Sequence, residues 1–260
     1  MRLAAAVMLL AFALSGCETS QEKSAQLEKA AKHVIGSAAK GLTIAKTSTA
    51  VRVLATQVLH DSEGTAAVVT LRNLSAHALA DVPIAITVHD ASGGVLYKNN
   101  TPGLEAALTT VPLLAPGARF TWIDDQVQVT EGAAGNAPDS SPSASPGSPA
   151  STSAGTPTSV TAQLGEAPAA TGPVPQIRAT GVHATEAPEA GVAGSVANDS
   201  SIAQHGLVVY GLARRGTRIV AAGRAVLSEV PAHGSLPFQV LFIGSTQGAH
   251  VEASAPPTTF

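Results

Sequence analysis

Val82-Pro83-Ile84-Ala85-Ile86-Thr87-Val88-His89 is the stretch that decides the fold. Branched aliphatic residues stand at 82, 84, 86 and 88, with other residues between them. An extended chain sends every second side chain to one face, whereas a helix would scatter these four around its axis. Valine and isoleucine also pack well on a pleated surface. The segment predicts a half-buried strand, with Pro83 tolerated because it stands near the strand's start.

The flanking sequence has the same texture. Residues 51–59, 65–71, 95–97, 104–114 and 118–129 are further strand candidates. They are separated by the turn clusters Asp61-Ser62-Glu63-Gly64, Asn73-Leu74-Ser75-Ala76-His77, Asp90-Ala91-Ser92-Gly93-Gly94 and Ala115-Pro116-Gly117. Short strands about ten residues apart, with Gly/Pro turns, point to a β-sandwich. Residues 131–157 differ in kind. They are Ala, Gly, Pro, Ser and Thr almost throughout, with only Glu131 and Asp139 charged. Such a stretch cannot bury enough apolar surface to offset its ordering entropy, so disorder is expected. It is either an interdomain linker or an insertion. The insertion is preferred, because 159–164 has strand character and is expected to pair with 122–129, completing a first sandwich over 48–166. Residues 167–175, with Pro168 and Pro173, then form the linker. A second sandwich follows over 176–260, with strand candidates at 177–184, 191–197, 206–212, 217–222, 224–230, 236–243 and 249–253.

The N-terminus carries a separate message. Arg2 precedes a twelve-residue apolar run over 3–14, the length of a signal segment and too short to span a bilayer. Leu14-Ser15-Gly16-Cys17 closes the run, and Cys17 is the chain's single cysteine. This resembles the lipobox of bacterial lipoproteins. The resemblance implies cleavage between Gly16 and Cys17, lipidation of the Cys17 sulfur and anchorage to the extracytoplasmic face of the cell membrane. The alternative is an ordinary secretory signal with an incidental cysteine. One thiol cannot form an internal disulfide, so another role for it is expected. Residues 17–47 form the acylated N-terminus. They include an expected short helix over 21–40, where Leu27, Ala30, Ala31, Val34 and Ile35 recur at helical spacing. The composition, rich in Ala, Gly, Pro and Ser, resembles that of proteins from high-GC bacteria such as actinobacteria.

Two blocks of the first sandwich recur in the second. Val69-Thr70-Leu71-Arg72-Asn73-Leu74-Ser75 is echoed by Gly194-Ser195-Val196-Ala197-Asn198-Asp199-Ser200. Leu114-Ala115-Pro116-Gly117 with Phe120 is echoed by Val230-Pro231-Ala232-His233-Gly234 with Phe238. The asparagines suit strand-ending Asx turns. These blocks resemble the FxLYD-type domains, small immunoglobulin-like sandwiches of bacterial surface proteins and lipoproteins. Gly194-Ser195-Val196-Ala197-Asn198 fits that pattern well, and Val88-His89-Asp90 stands where Leu-Tyr-Asp is usual. Tyr210 and Arg214-Arg215-Gly216 depart from it. The resemblance covers most of 65–122 and 191–243. It implies an all-β chain of two immunoglobulin-like β-sandwich domains in tandem, and it transfers no catalytic residue.

Chemistry is hard to find. Gly-x-Ser-x-Gly, a phosphate-cradling loop with lysine, and His-Glu-x-x-His are absent, and no two histidines fall within four residues. No catalytic residue, metal site or cofactor is therefore expected. The net charge of -3 gives no reason to expect nucleic acid. Asp124-Asp125 reads as a solvated strand edge or a cation site, and Trp122 as core or core rim. Arg214, Arg215, Arg218 and Arg224 surround one hairpin. They form either an anionic-partner patch or a solvated edge blunted by charge. The expectation is a lipid-anchored, non-enzymatic envelope lipoprotein that binds a protein or wall polymer. The alternative is a ligand- or metal-binding lipoprotein with its site at the domain junction.

Overall fold

Hydrogen bonding gathers the alternating segments into antiparallel ladders. The computed structural model describes residues 41–129 and 155–258. Gly16, Cys17, the signal segment, the expected helix and nearly all of 131–157 lie outside the described residues. The first half holds β1 (Val51–Asp61), β2 (Gly64–Asn73), β3 (Leu79–His89), β4 (Val95–Lys98), β5 (Thr110–Leu114), β6 (Arg119–Asp124) and β7 (Ser159–Leu164). The second holds β8 (Ile177–Thr185), β9 (Gly191–Asn198), β10 (Gln204–Arg215), β11 (Arg218–Val230), β12 (Ser235–Leu241), β13 (Ile243–Gly244) and β14 (His250–Ser254). Among the described residues the only helical segment is a 3-10 turn at Ala106–Leu108. The described chain is all-β.

In the first half one sheet runs β1-β2-β6. The other is centred on β3, with β4 and β5 in succession along one side and β7 along the other. In the second half the sheets run β8-β9-β12 and β13-β11-β10-β14. Within each half the two sheets face each other as a sandwich. The halves also meet sheet to sheet: β2 and β6 pack on β11, β6 on β10, and β1 on β13. The result is four layers of sheet. The two inner layers are covered on both faces, so their central strands need apolar residues at every position. Thr65 to Val69 of β2 and Leu207 to Ala213 of β10 are accordingly buried without alternation. Val208, Tyr210 and Leu212 join the apolar cluster of the first half, while Leu207, Val209 and Ala213 line the core of their own.

The strand expected over 82–89 is the greater part of β3, and its four aliphatic residues are all at most 2% exposed. Several expectations need correction. β7 does not pair with β6; it pairs with β3 in register Ile84↔Leu164 to His89↔Ser159. β6 already spends one edge on β2, whereas β3 has an edge that β4 and β5 leave open. Pro83 lies inside β3, not near its start. It is tolerated because its nitrogen faces the β7 side, where the ladder ends at Ile84↔Leu164, while its carbonyl still accepts from the Gly165 N–H at 2.8 Å. Residues 104–114 are one short turn and a short strand, and 217–222 and 224–230 form one continuous β11. In the expected linker, the Ala80 N–H donates to the Pro168 carbonyl and the Ala170 N–H to the Ala78 carbonyl, so these residues continue the β7 side of the sheet.

The break between β4 and β5 is filled by a side chain. Asn99, fully buried, accepts from the Ile86 N–H at 2.7 Å and donates to the carbonyls of Ile84 and Leu108 at 2.8 and 2.7 Å. It supplies the pairing that a continuous strand would give, and so leaves no buried backbone group of β3 unmatched there.

The repeat is real at atomic level. Asn73 Nδ2 donates to His77, Leu114 and Ala115 carbonyls, and Asn198 Nδ2 to Ile202, Val230 and Pro231 carbonyls. Each Oδ1 accepts from the N–H and the hydroxyl of the serine two residues on. Eight residues beyond each asparagine one residue takes left-handed backbone: Asp81 at φ 47° and Gly206 at φ 58°. The corners correspond too, but not as the residue types suggest. The Asn73 N–H bonds to the Ala118 carbonyl and that of Asn198 to the Gly234 carbonyl. Gly117 (φ 67°) is therefore matched by His233 (φ 52°), and the counterpart of Phe238 is Trp122 rather than Phe120. Trp122 pairs with Val69 and Phe238 with Gly194, each four residues before its asparagine. The asparagine anchors the corner, and the corner sets the register.

Candidate functional site at the junction of the two halves

The two charged side chains that are buried among the described residues, Asp124 and Arg224, stand on the inner sheets. Asp124 closes β6, Asp125 follows it, and the two side chains diverge. Asp124, fully buried and not a solvated edge, turns into the first half, where the Tyr97 hydroxyl donates to its Oδ2 at 3.0 Å and the Gln126 N–H to its Oδ1. Burial is the dominant influence on this carboxyl and pushes its pKa up to about 6 against the hydrogen bonds that lower it. Burial, with the adjacent Asp124 charge, likewise raises the Tyr97 hydroxyl.

Asp125 turns the other way, across the junction. Its Oδ1 accepts from Arg224 Nε and its Oδ2 from the Arg224 N–H, both at 2.9 Å. Arg224 Nη2 lies 3.4 Å from Glu105 Oε2. The Arg224 side chain is 2% exposed, so it does not belong to a surface patch with Arg214, Arg215 and Arg218. Burial of a guanidinium is tolerable only with a close anion, and Asp125 is that anion. Arg224 Nη1 and the hydroxyl of its cross-strand neighbour Tyr210 are both buried without a hydrogen-bond partner among the described residues. Burial raises the Tyr210 pKa. Two further bonds stitch the halves together: Gln57 Nε2 to the Ile219 carbonyl at 2.9 Å, and the Gly244 N–H to Asp61 Oδ2 at 2.6 Å.

Beside this buried pair the junction opens into a cleft of about 690 Å³. Phe120 of β6 and Tyr210 of β10 meet edge to face in its wall, with ring centroids 5.1 Å apart. Leu54, Leu212 and Ile219 add apolar surface, and Arg119, Arg214 and Arg218 supply the cations. Gly216, at φ 62°, makes the β10–β11 turn that holds Arg214 and Arg218 on one side. Arg215 turns away, its Nη2 donating to the Gln247 carbonyl. Of the four arginines singled out in the sequence, two line the cleft, one is tied down outside it and one is buried beneath the junction. Arg119 was missed. It is isolated in sequence, and only the stacking of the halves brings it to the others.

Two imidazole–hydroxyl pairs occur elsewhere. His60 Nδ1 is 2.8 Å from Thr65 Oγ1 and 3.1 Å from the Gly64 carbonyl. A carbonyl only accepts, so hydrogen bonding to both partners places the hydrogen on this nitrogen, which then cannot accept the threonine proton. His89 Nε2 lies 3.3 Å from Thr161 Oγ1, and its Nδ1 is 3.3 Å from the Gly93 carbonyl. Both pairs bridge neighbouring strands, with His60 and Thr161 exposed, His89 half-buried and Thr65 buried. Among the described residues, no three His, Cys, Asp or Glu side chains converge as a metal site would require. No family model matches this chain, and no curated protein matches it.

Proposed function

We propose that the chain is a membrane-anchored lipoprotein of the bacterial cell envelope, held by lipid on Cys17, whose two β-sandwich halves form a non-enzymatic binding module for a protein or wall polymer. The observation that carries this reading is the single cysteine, placed at the end of a twelve-residue apolar run in Leu14-Ser15-Gly16-Cys17. Two or more acyl chains on that residue would anchor the protein stably. The FxLYD-type resemblance supports the module: the asparagine-anchored corner is built twice, as in a repeated surface domain. Recognition by loops and sheet edges asks for no catalytic group.

The test is metabolic labelling with an alkyne fatty acid, followed by fractionation. The native chain is expected to carry label, to lose residues 1–16 and to sediment with membranes. Cys17→Ala should abolish the label and release or mislocalise the protein. Labelling that survives Cys17→Ala, or an unprocessed native chain in the cytosol, overturns the anchor.

A second reading, a small-ligand-binding lipoprotein, is favoured by one observation: a cleft lined by arginines from both halves at the junction.

A further inference from the structure

Arg119 comes from the first half and Arg214 and Arg218 from the second, so the cation set exists only where the halves meet. One carboxylate, Glu252, lines the same cleft, and it is paired with Arg214, Nε to Oε1 at 2.5 Å. Arg119 and Arg218 have no ion pair or side-chain hydrogen bond among the described residues. Three guanidiniums against one carboxylate leave the cleft with an excess of two positive charges. Guanidinium binds phosphate and carboxylate through paired donors, in a geometry that a lone cation in water has no reason to hold.

The remainder of the wall is mixed, with Gln57, Thr70, Thr121, Thr217 and Ser254 beside apolar side chains. Leu54 and Phe120 are half-buried and present an aliphatic chain and a ring to whatever enters, backed by the buried Tyr210, Leu212 and Ile219. An inorganic anion would leave that surface wet, and an uncharged apolar molecule would leave two guanidiniums unmatched. The volume falls within the range of roughly 300–1,000 Å³ typical of small-molecule sites.

We infer that the junction cleft binds an anionic amphiphile, its phosphate or carboxylate head between Arg119 and Arg218 and its apolar body against Leu54 and Phe120. This rests on the second reading above and is independent of the lipid anchor. A phosphate head could come from a soluble alkyl phosphate monoester or from a membrane phospholipid. The two unpaired guanidiniums favour the doubly charged monoester.

The full chain is titrated calorimetrically with dodecyl phosphate, dihexanoyl phosphatidylglycerol, inorganic phosphate and dodecyltrimethylammonium, each below its micelle concentration. Dodecyl phosphate is expected to bind in a one-to-one ratio and more weakly as salt rises. In Arg119→Gln/Arg218→Gln, binding should weaken by about tenfold or more. Both arginines are exposed, so an unchanged melting transition will show that this variant folds. Preferential binding of dihexanoyl phosphatidylglycerol, with the same loss in the variant, assigns the head group to a phospholipid. Preference for dodecyl phosphate assigns it to a soluble monoester. Inorganic phosphate binding as tightly as either, or affinity unchanged in the double variant, overturns the proposal. Equal binding of dodecyltrimethylammonium, blocked by Thr70→Trp in the cleft wall, overturns the anionic ligand but keeps the cleft as a site. No binding by any amphiphile removes both.

Discussion

Asp124 and Asp125 are neighbours that serve different halves of the molecule, and each has a measurable signature. Asp125 neutralises a guanidinium that is 2% exposed. Removing one partner of a buried pair strands the other charge, so Asp125→Ala should destabilise the fold by about 3–5 kcal/mol. Replacing both, as Asp125→Ala/Arg224→Met, should cost less than the single change. Urea unfolding midpoints of the two variants decide this, and a double variant as unstable as the sum of its parts would refute the pairing. Asp124 has its pKa near 6, against 3.8 for a free aspartate. The folded chain therefore keeps a proton that the unfolded chain has already lost between those values. Stability contributed by this group is full below about pH 4 and is lost as pH rises through 6, by roughly 3 kcal/mol in all. Asp124→Asn should flatten that part of the profile, as read from unfolding midpoints between pH 4 and 7; a slope identical to the native one would show that the carboxyl titrates normally. Neither role was legible from the sequence, because two adjacent acids at a strand end look the same whether they are solvated or drawn apart by partners 27 residues and 99 residues away.

At the scale of the element, what could be read depended on how many faces a strand buries. β3 announces itself by strict alternation, and its extent was found to within a few residues. β2 and β10 lie in the inner layers, where burial on both faces replaces alternation by a continuous apolar run. Those runs, Thr65 to Leu71 and Leu207 to Ala213, did mark strands, but they also held unused information that a second layer must cover them. The partner of β7 was not legible, since its own alternation says nothing about which sheet edge is vacant. Close layer packing explains two glycines. Gly211 and Gly223 stand opposite each other in the β10–β11 ladder. A Cβ on Gly223 would lie 1.9 Å from the Leu241 carbonyl oxygen, and one on Gly211 would lie 2.7 Å from Phe242 and Val192 side chains. Backbone cannot yield as a side chain can. Gly223→Ala should therefore cost about 3 kcal/mol or more by forcing the crossing strand outward. A melting temperature within experimental error of the native value would show that the sheets can part there without penalty.

For the whole molecule, the sequence divides the chain into two similar sandwiches, yet the described residues form one compact unit from Gly41 onward. The apolar cluster of the first half runs on through Val208, Tyr210, Leu212, Ile219, Ala222 and Ile243 of the second. Neither half can unfold without exposing this shared layer and stranding Arg224. Calorimetry should accordingly show a single cooperative transition, with equal calorimetric and van't Hoff enthalpies. Two resolved transitions in the native protein would mean that the junction contributes little. The internal repeat was legible because asparagine and its corner are local chemistry. The junction was not, because it joins Arg119 and Asp125 to residues roughly a hundred positions away.

The placement of β7 has a practical corollary for the long Ser/Pro/Ala tract. That tract departs after Val129 and the chain returns in time to lay Ser159–Leu164 beside β3. Severing the covalent chain within it would part residues in sequence but not in space. The downstream piece would remain zipped to the upstream one along six residue pairs, from Ile84↔Leu164 to His89↔Ser159, and clasped again by Arg224 on Asp125. A nicked protein would travel as a single particle and come apart only in denaturant. The same tract is thus a natural place to graft a tag, or to split the gene into two coexpressed fragments that find each other by strand complementation.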